Sequence, residues 1–240
     1  MSHLNTSIHL ILVPQGAECR AVCRGLRGVS HPPSVLPVPA GPVPLARHLQ
    51  TLWEAGVMTA GQRVLVMGVC GGLVPDLAVG DRVLYQNCAS TTADGSRLEC
   101  DRALTEQLHQ HLMGEIKVVQ AVTSDRVIAT PTDKQQLAQQ FQADVVDMEG
   151  FPALSLLQSW GVAVAMVRVV SDDSQHTIPD LSSVFDEQGS LRPLVLTRAL
   201  IRQPIAGFRL IQGSLRGFQE LQTVTRRLFI PKSPHSDRCP

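Results

Sequence analysis

The chain has 240 residues, 44% of them hydrophobic and 18% charged, which are the proportions of a folded globular protein and not of a disordered one. That length suffices for one α/β domain with a substantial core. A formal net charge of zero supplies no global field for nucleic acid, and no apolar run approaches the roughly 18 residues of a membrane span.

Residues 1–7 carry no basic stretch, and the apolar run at 8–13 is too short for a signal-peptide core, so it reads as a first strand. Residues 16–26 read as a short helix with Glu18 near its start. Six prolines between positions 32 and 44 exclude a regular helix over 28–44 and predict extended edge structure. A helix follows at 45–55, then a strand at 64–69 that ends in a tight turn at Gly71–Gly72. A turn at Pro75–Asp76 leads to a strand at 79–86, and 87–100 reads as a polar loop containing Asp94 and Gly95. A polar helix at 102–113, with His109 and His111 solvated, precedes a strand at 116–123. The next helix, 132–141, takes Thr132 or Asp133 as its cap.

An apolar helix at 151–161 has Gly161 as its stop, and the run at 162–170, apolar and valine-rich and broken only by Arg168, reads as a strand covered on both faces. This alternation predicts a layered α/β/α fold around a central, mostly parallel, mixed sheet. Residues 191–232 differ. Seven arginines and Lys232 stand there against one acid, Glu220, with leucine, isoleucine and phenylalanine at helical spacing and a break near Pro204. The chain therefore divides into one unit over 1–190, a basic amphipathic helical extension over 191–232 and a polar tail over 233–240. The six cysteines, at 19, 23, 70, 88, 100 and 239, form no C-x-x-C and lie near no histidine at ligand spacing. They read as free thiols of a cytoplasmic protein, with no metal site.

The chemistry concentrates in two carboxylates. Glu149 heads the apolar helix and Asp172 ends the buried strand, so both reach the strand-end rim where α/β folds place their sites. Two acids on one rim suit sugar chemistry, in which one holds ribose hydroxyls and the other protonates a leaving group as an oxocarbenium-like cation develops.

The surrounding residues carry a resemblance. V-D-M-E-G-F-P at 146–152 and R-V-V-S-D at 168–172 are similar to the V-E-M-E and R-x-x-S-D patterns of the purine nucleoside phosphorylase and methylthioadenosine/S-adenosylhomocysteine nucleosidase superfamily. Residues 64–83 resemble that family's strand, Gly-rich turn and GGL-x-P-x-L-x-V-G-D-x-V segment, and Thr123 to Ile128 resemble its base-contacting segment. The match spans about residues 8–185.

The resemblance implies an enzyme that cleaves the N-glycosidic bond of an adenosine-type purine nucleoside without a cofactor. Asp172 would protonate purine N7 with Ser171 orienting it and Asp173 adding like charge. Glu149 would hold the ribose hydroxyls, Met148 would pack on the sugar, and Glu18 would position the attacking water. Val127 and Ile128 would meet the base, and Val69 and Gly71 would also contact the substrate. Asp147 stands where the family has Glu, and Val127 where nucleosidases often have an aromatic ring. The turn reads G-V-C-G-G, without the hydroxyl residue that contacts phosphate in many relatives. Phosphate, the co-substrate of a phosphorylase, would then rest on backbone N–H groups and Arg20, so hydrolysis is favoured over phosphorolysis.

The missing hydroxyl, the basic extension and a stretch over 28–44 that is shorter than the family's, which usually places extra strands there, are also similar to a hopanoid-associated branch, with residues 185–194 resembling the start of its extension. That branch implies a lipid-linked 5′ substituent and peripheral membrane contact through 192–232. The plainer alternative is a helix packing the core or the subunit interface of a homo-oligomer. Retention of both Glu149 and Asp172 argues against a non-catalytic nucleoside-binding module. A nicotinamide oxidoreductase is excluded because G-V-C-G-G-L lacks the third glycine at dinucleotide spacing.

Overall fold

The computed structural model describes residues 8–92, 96–112, 114–181, 184, 186 and 192–230. Its strands are β1 (Leu10–Pro14), β2 (Ser34–Val38), β3 (Arg63–Gly72), β4 (Arg82–Ser90), β5 (Arg97–Glu99), β6 (Lys117–Thr123), β7 (Val145–Asp147) and β8 (Ala163–Asp172). Its helices are α1 (Ala17–Gly25), α2 (Pro42–Glu54), α3 (Arg102–His111), α4 (Pro131–Phe141), α5 (Gly150–Ser159), α6 (Pro193–Arg202) and α7 (Pro204–Phe229).

Alternation along β3 explains the layers. Val64 and Val66 join Leu45 and Leu49 of α2 and Leu154 and Leu157 of α5 in one core. Leu65 and Met67 point the other way, into a second core with Val22 of α1, Leu104 and Leu108 of α3, and Leu221 and Val224 of α7. The central sheet is thus covered on both faces, as a mixed α/β fold requires.

The sheet runs in the order β2-β1-β3-β7-β6-β4-β5, and β8 pairs with both β3 and β4. The pairings β3–β8, β8–β4, β4–β6, β6–β7 and β7–β3 therefore close a ring of five strands. Pairing is antiparallel at β3–β7, β4–β8 and β4–β5 and parallel elsewhere, which matches the expected mostly parallel, mixed sheet. Ring closure leaves the interior strands without open edges.

Local differences have simple causes. The tight turn predicted at Gly71–Gly72 is instead the end of β3, where the two glycines pair with Val146 and Val145 and a register shift at Cys70/Gly71 opens a bulge. Residues 87–90 of the predicted loop remain in β4, because β5 and β6 pair with them. Helix α2 starts at Pro42, since a first turn tolerates proline. The cap of α4 is Thr130, whose Oγ1 accepts a hydrogen bond from Asp133 N–H at 3.1 Å. His111 Nε2 lies 3.0 Å from the Arg227 carbonyl oxygen, so this histidine touches α7 as well as solvent. Asp94, Gly95, Cys239, the 233–240 tail and most of the 185–191 stretch lie outside the described residues.

Helix α7 changes character along its length. Its last turns bury Leu221, Val224, Leu228 and Phe229 against α1, where a Cβ on Gly25 would stand 2.6 Å from the Gln222 carbonyl oxygen. Arg82 binds Glu220 at 2.6 Å and Glu115 at 3.3 Å, and Arg227 also pairs with Glu115, fastening this half to β4. On the opposite core face, Trp53 of α2 and Trp160 at the end of α5 stack with ring centroids 4.8 Å apart.

Candidate active site

A cavity of about 350 Å³ opens at the C-terminal ends of β1, β3, β7 and β8. Loops there bring Glu18, Met148, Glu149, Ser171 and Asp172 to one space, together with Val69, Gly71, Val127 and Ile128.

Its floor is acidic. Glu18, in the first turn of α1, accepts a hydrogen bond from Val69 N–H at 2.8 Å. Glu149 occupies the N-cap of α5 but makes no cap bond; its Oε1 accepts from Gly41 N–H at 3.0 Å, 108 residues away. Beneath both lies Arg168, fully buried, with Nη2 3.2 Å from Asp147 Oδ2 and 3.8 Å from Glu149 Oε2. Gly68 makes this meeting possible: a Cβ there would collide with Arg168 Nη1 and stand 2.8 Å from Glu18 Oε1. Removal from water pushes the Glu18 carboxyl up to about 7, and the charge of Glu149 adds to the rise. Burial raises Glu149 as well, with Arg168 opposing it. Asp147 is a bracket: its Oδ1 accepts from the Thr123 hydroxyl at 2.6 Å and from Gly150 N–H at 3.1 Å.

Asp172 is held from two sides. Ser171 Oγ lies 3.0 Å from its Oδ1 and 3.2 Å from the Cys70 carbonyl oxygen. Its Oδ2 accepts a hydrogen bond from Lys134 Nζ of α4, which also reaches the Asp173 carbonyl oxygen. The Lys134 side chain is 0% exposed. A buried ammonium is unfavourable unless paired, so it fixes the carboxylate that neutralises it. The Asp173 carboxylate, expected to reinforce Asp172, is engaged by His176 Nδ1 at 2.9 Å.

The rest of the cavity is apolar. Ile178, Leu181 and Val184 contribute from one segment, and Leu196, Leu210 and Phe218 from the inner sides of α6 and α7. Helix α7 lies this close to β8 because residue 213 is glycine; a Cβ there would collide with the Ser171 carbonyl oxygen.

Arg20 does not join the site. It is exposed on α1 and lies outside the cavity lining, because it is two residues past Glu18 on the helix. The arginine that lines the cavity is Arg126. Lys134 escapes sequence reading because Pro-Thr-Asp-Lys looks like a solvated first turn. Arg168 left a usable signal, since a charge inside a doubly covered strand demands buried partners.

Comparison with known proteins agrees with this architecture. Over 134 residues, 48% of this chain, it is 26% identical to an aminodeoxyfutalosine nucleosidase of Helicobacter pylori, and that stretch covers 57% of the relative's length. A futalosine hydrolase structure from Helicobacter pylori aligns with a TM-score of 0.71 at 16% identity, covering 92% of this chain and 97% of that one. A 5′-methylthioadenosine/S-adenosyl homocysteine nucleosidase from the same species aligns at 0.69 with 15% identity, covering 95% and 98%. A putative nucleosidase of this kind from Borrelia burgdorferi, bound to adenine, aligns at 0.68 with 13% identity, covering 91% and 98%. The model of the phosphorylase superfamily matches residues 16–202, so the chain, with its three-layered fold and acid-lined cavity, belongs to that superfamily.

Proposed function

We propose that the protein hydrolyses the N-glycosidic bond of an adenosine-type purine nucleoside carrying an apolar, lipid-like 5′ substituent. The observation that carries this reading is the convergence of Glu18, Glu149 and Asp172 on one cavity. The Helicobacter relative is a nucleosidase and the Borrelia structure holds adenine, which supports the same chemistry here.

Asp172, oriented by Ser171 and Lys134, takes up a proton from solvent as the nucleoside binds and passes it to the purine as the bond to the sugar lengthens, so the base departs neutral and the carboxylate is restored against Lys134. Glu149 accepts hydrogen bonds from the ribose hydroxyls, which strengthen as the ring becomes cationic. Met148 packs beside the sugar, and Val127 and Ile128 flank the base. Glu18 in its ionised form orients water toward the anomeric carbon. Water suits this floor better than phosphate does. The Val69 N–H is already bound to Glu18, and a phosphate dianion would face two carboxylates. The apolar wall from α6 and α7 is left for the 5′ substituent.

The test is release of free base from adenosine and from nucleosides with alkyl 5′ substituents, with and without phosphate. Release without phosphate is expected. A strict phosphate requirement would reassign the enzyme as a phosphorylase, and no release from any purine nucleoside would overturn the reading.

A further inference from the structure

We propose that the outer face of α6 and the first half of α7 is a docking surface for an anionic lipid membrane. Six large apolar side chains point outward there: Leu194 is 86% exposed, Ile201 73%, Ile205 70%, Phe208 61%, Leu215 56% and Ile211 46%. From 192 to 219 the chain has five arginines and no aspartate or glutamate, in a protein whose net charge is zero. Arg192, Arg198, Arg202 and Arg209 are exposed beside the apolar residues, while Arg216 lies across Gly80 near Asp81. Asp180 borders α6 next to Arg198 and Arg202, and the excess of positive charge remains.

The face is not a core surface awaiting packing. In α7 the opposite side is the buried one, with Gly213 and Gly217 against Ser171 of the protein body and Gly207 against Leu200 of α6. A second copy is a poor occupant, because a two-fold contact would set one arginine cluster against another. Leu194 borders a cavity beside Arg198 and Arg202, whereas Ile201, Ile205, Phe208, Ile211 and Leu215 line none of the described cavities, so they suit a fluid surface better than a shaped protein partner. Arginine flanking exposed leucine, isoleucine and phenylalanine combines apolar insertion with attraction to anionic headgroups. The inner sides of the same helices line the cavity through Leu196, Leu210 and Phe218, so a docked molecule places its cavity wall next to lipid.

This surface does not depend on the chemistry assigned to the cavity, and its test uses no substrate. The full chain is sedimented with vesicles of phosphatidylglycerol and phosphatidylcholine, and with phosphatidylcholine alone, over a range of salt. Binding should favour the anionic vesicles by about tenfold or more and weaken as salt rises, since charge is screened over about 8 Å at physiological ionic strength. The Ile205→Ser/Phe208→Ser and Arg202→Gln/Arg209→Gln variants should each lose most of this binding while melting at the wild-type temperature. If a double variant melts early, the single Phe208→Ser and Arg209→Gln variants carry the comparison. Absence of binding to anionic vesicles overturns the proposal, as does wild-type binding by the Ile205→Ser/Phe208→Ser variant. A wild-type oligomer in light scattering that this variant dissolves would assign the face to a second copy instead.

Discussion

The floor and the wall of the cavity are built on different principles. On the floor, Glu18, Asp147, Glu149, Arg168, Asp172 and Lys134 are each tied to backbone or to an opposite charge. The wall is made of apolar side chains on helices whose outer faces are exposed, and it carries no ion pair to Glu18, Glu149 or Asp172 among the described residues. The contrast separates two jobs. In the proposed reaction the floor residues act where charge develops and should affect every substrate alike, whereas the wall residues meet only the substituent and should sort substrates.

The most damaging change should be Lys134→Met. It leaves Asp172 beside an apolar chain, and breaking a buried pair costs about 3–5 kcal/mol. The melting temperature should fall accordingly, and an unchanged melt would show the pair to be dispensable. Asp172→Asn keeps the shape but removes the proposed proton donor. Turnover should drop by at least about 100-fold on every nucleoside, the usual scale of acid–base catalysis. Loss on one substrate class alone would break the division between floor and wall.

Glu18 gives a signature in pH. Its carboxyl titrates at 4.5 in the unfolded chain and at about 7 when folded, so the folded form holds the extra proton between these values. Wild type should therefore lose stability relative to Glu18→Gln as pH rises from 4.5 to 7. Activity should rise over the upper part of that range, as the carboxylate that orients water forms. A Glu18→Gln variant that keeps the wild-type pH–rate limb would remove Glu18 from the reaction. The smallest effect belongs to the wall. Leu210→Ala should lower kcat/KM about tenfold for alkyl-substituted nucleosides and leave adenosine nearly unchanged, the scale of lost apolar contact in a pocket. Equal loss on both would mean that the wall supports the floor instead of selecting substrates.

What the sequence makes legible follows the same line. Glu18, Glu149 and Asp172 are readable because each sits at a strand or helix end in a distinctive local pattern. Most strands are readable from β-branched runs, though the ring is not, because β8 pairing with both β3 and β4 depends on contacts between distant segments. Lys134 is hidden for the same reason: its partner, Asp172, lies 38 residues away and its own helix looks solvated. Residues 192–229 show an amphipathic pattern throughout. Which half is buried depends on α1, on Arg82 and on Glu115, which the pattern does not record.

The stacked tryptophans turn the floor into something measurable in a cuvette. They are the only two in the chain, so intrinsic emission reports one stacked pair. Trp53 belongs to the helix that begins beside Gly41, and Trp160 ends the helix that begins at Glu149. Both helices therefore start at the hydrogen bond between Gly41 and Glu149 and finish at the pair. If the proposed nucleoside draws Glu149 away from Gly41, the relative seating of the two helices should shift and the emission should change with it. Titrating a nucleoside against this emission, before any product forms, is the label-free measurement that checks it.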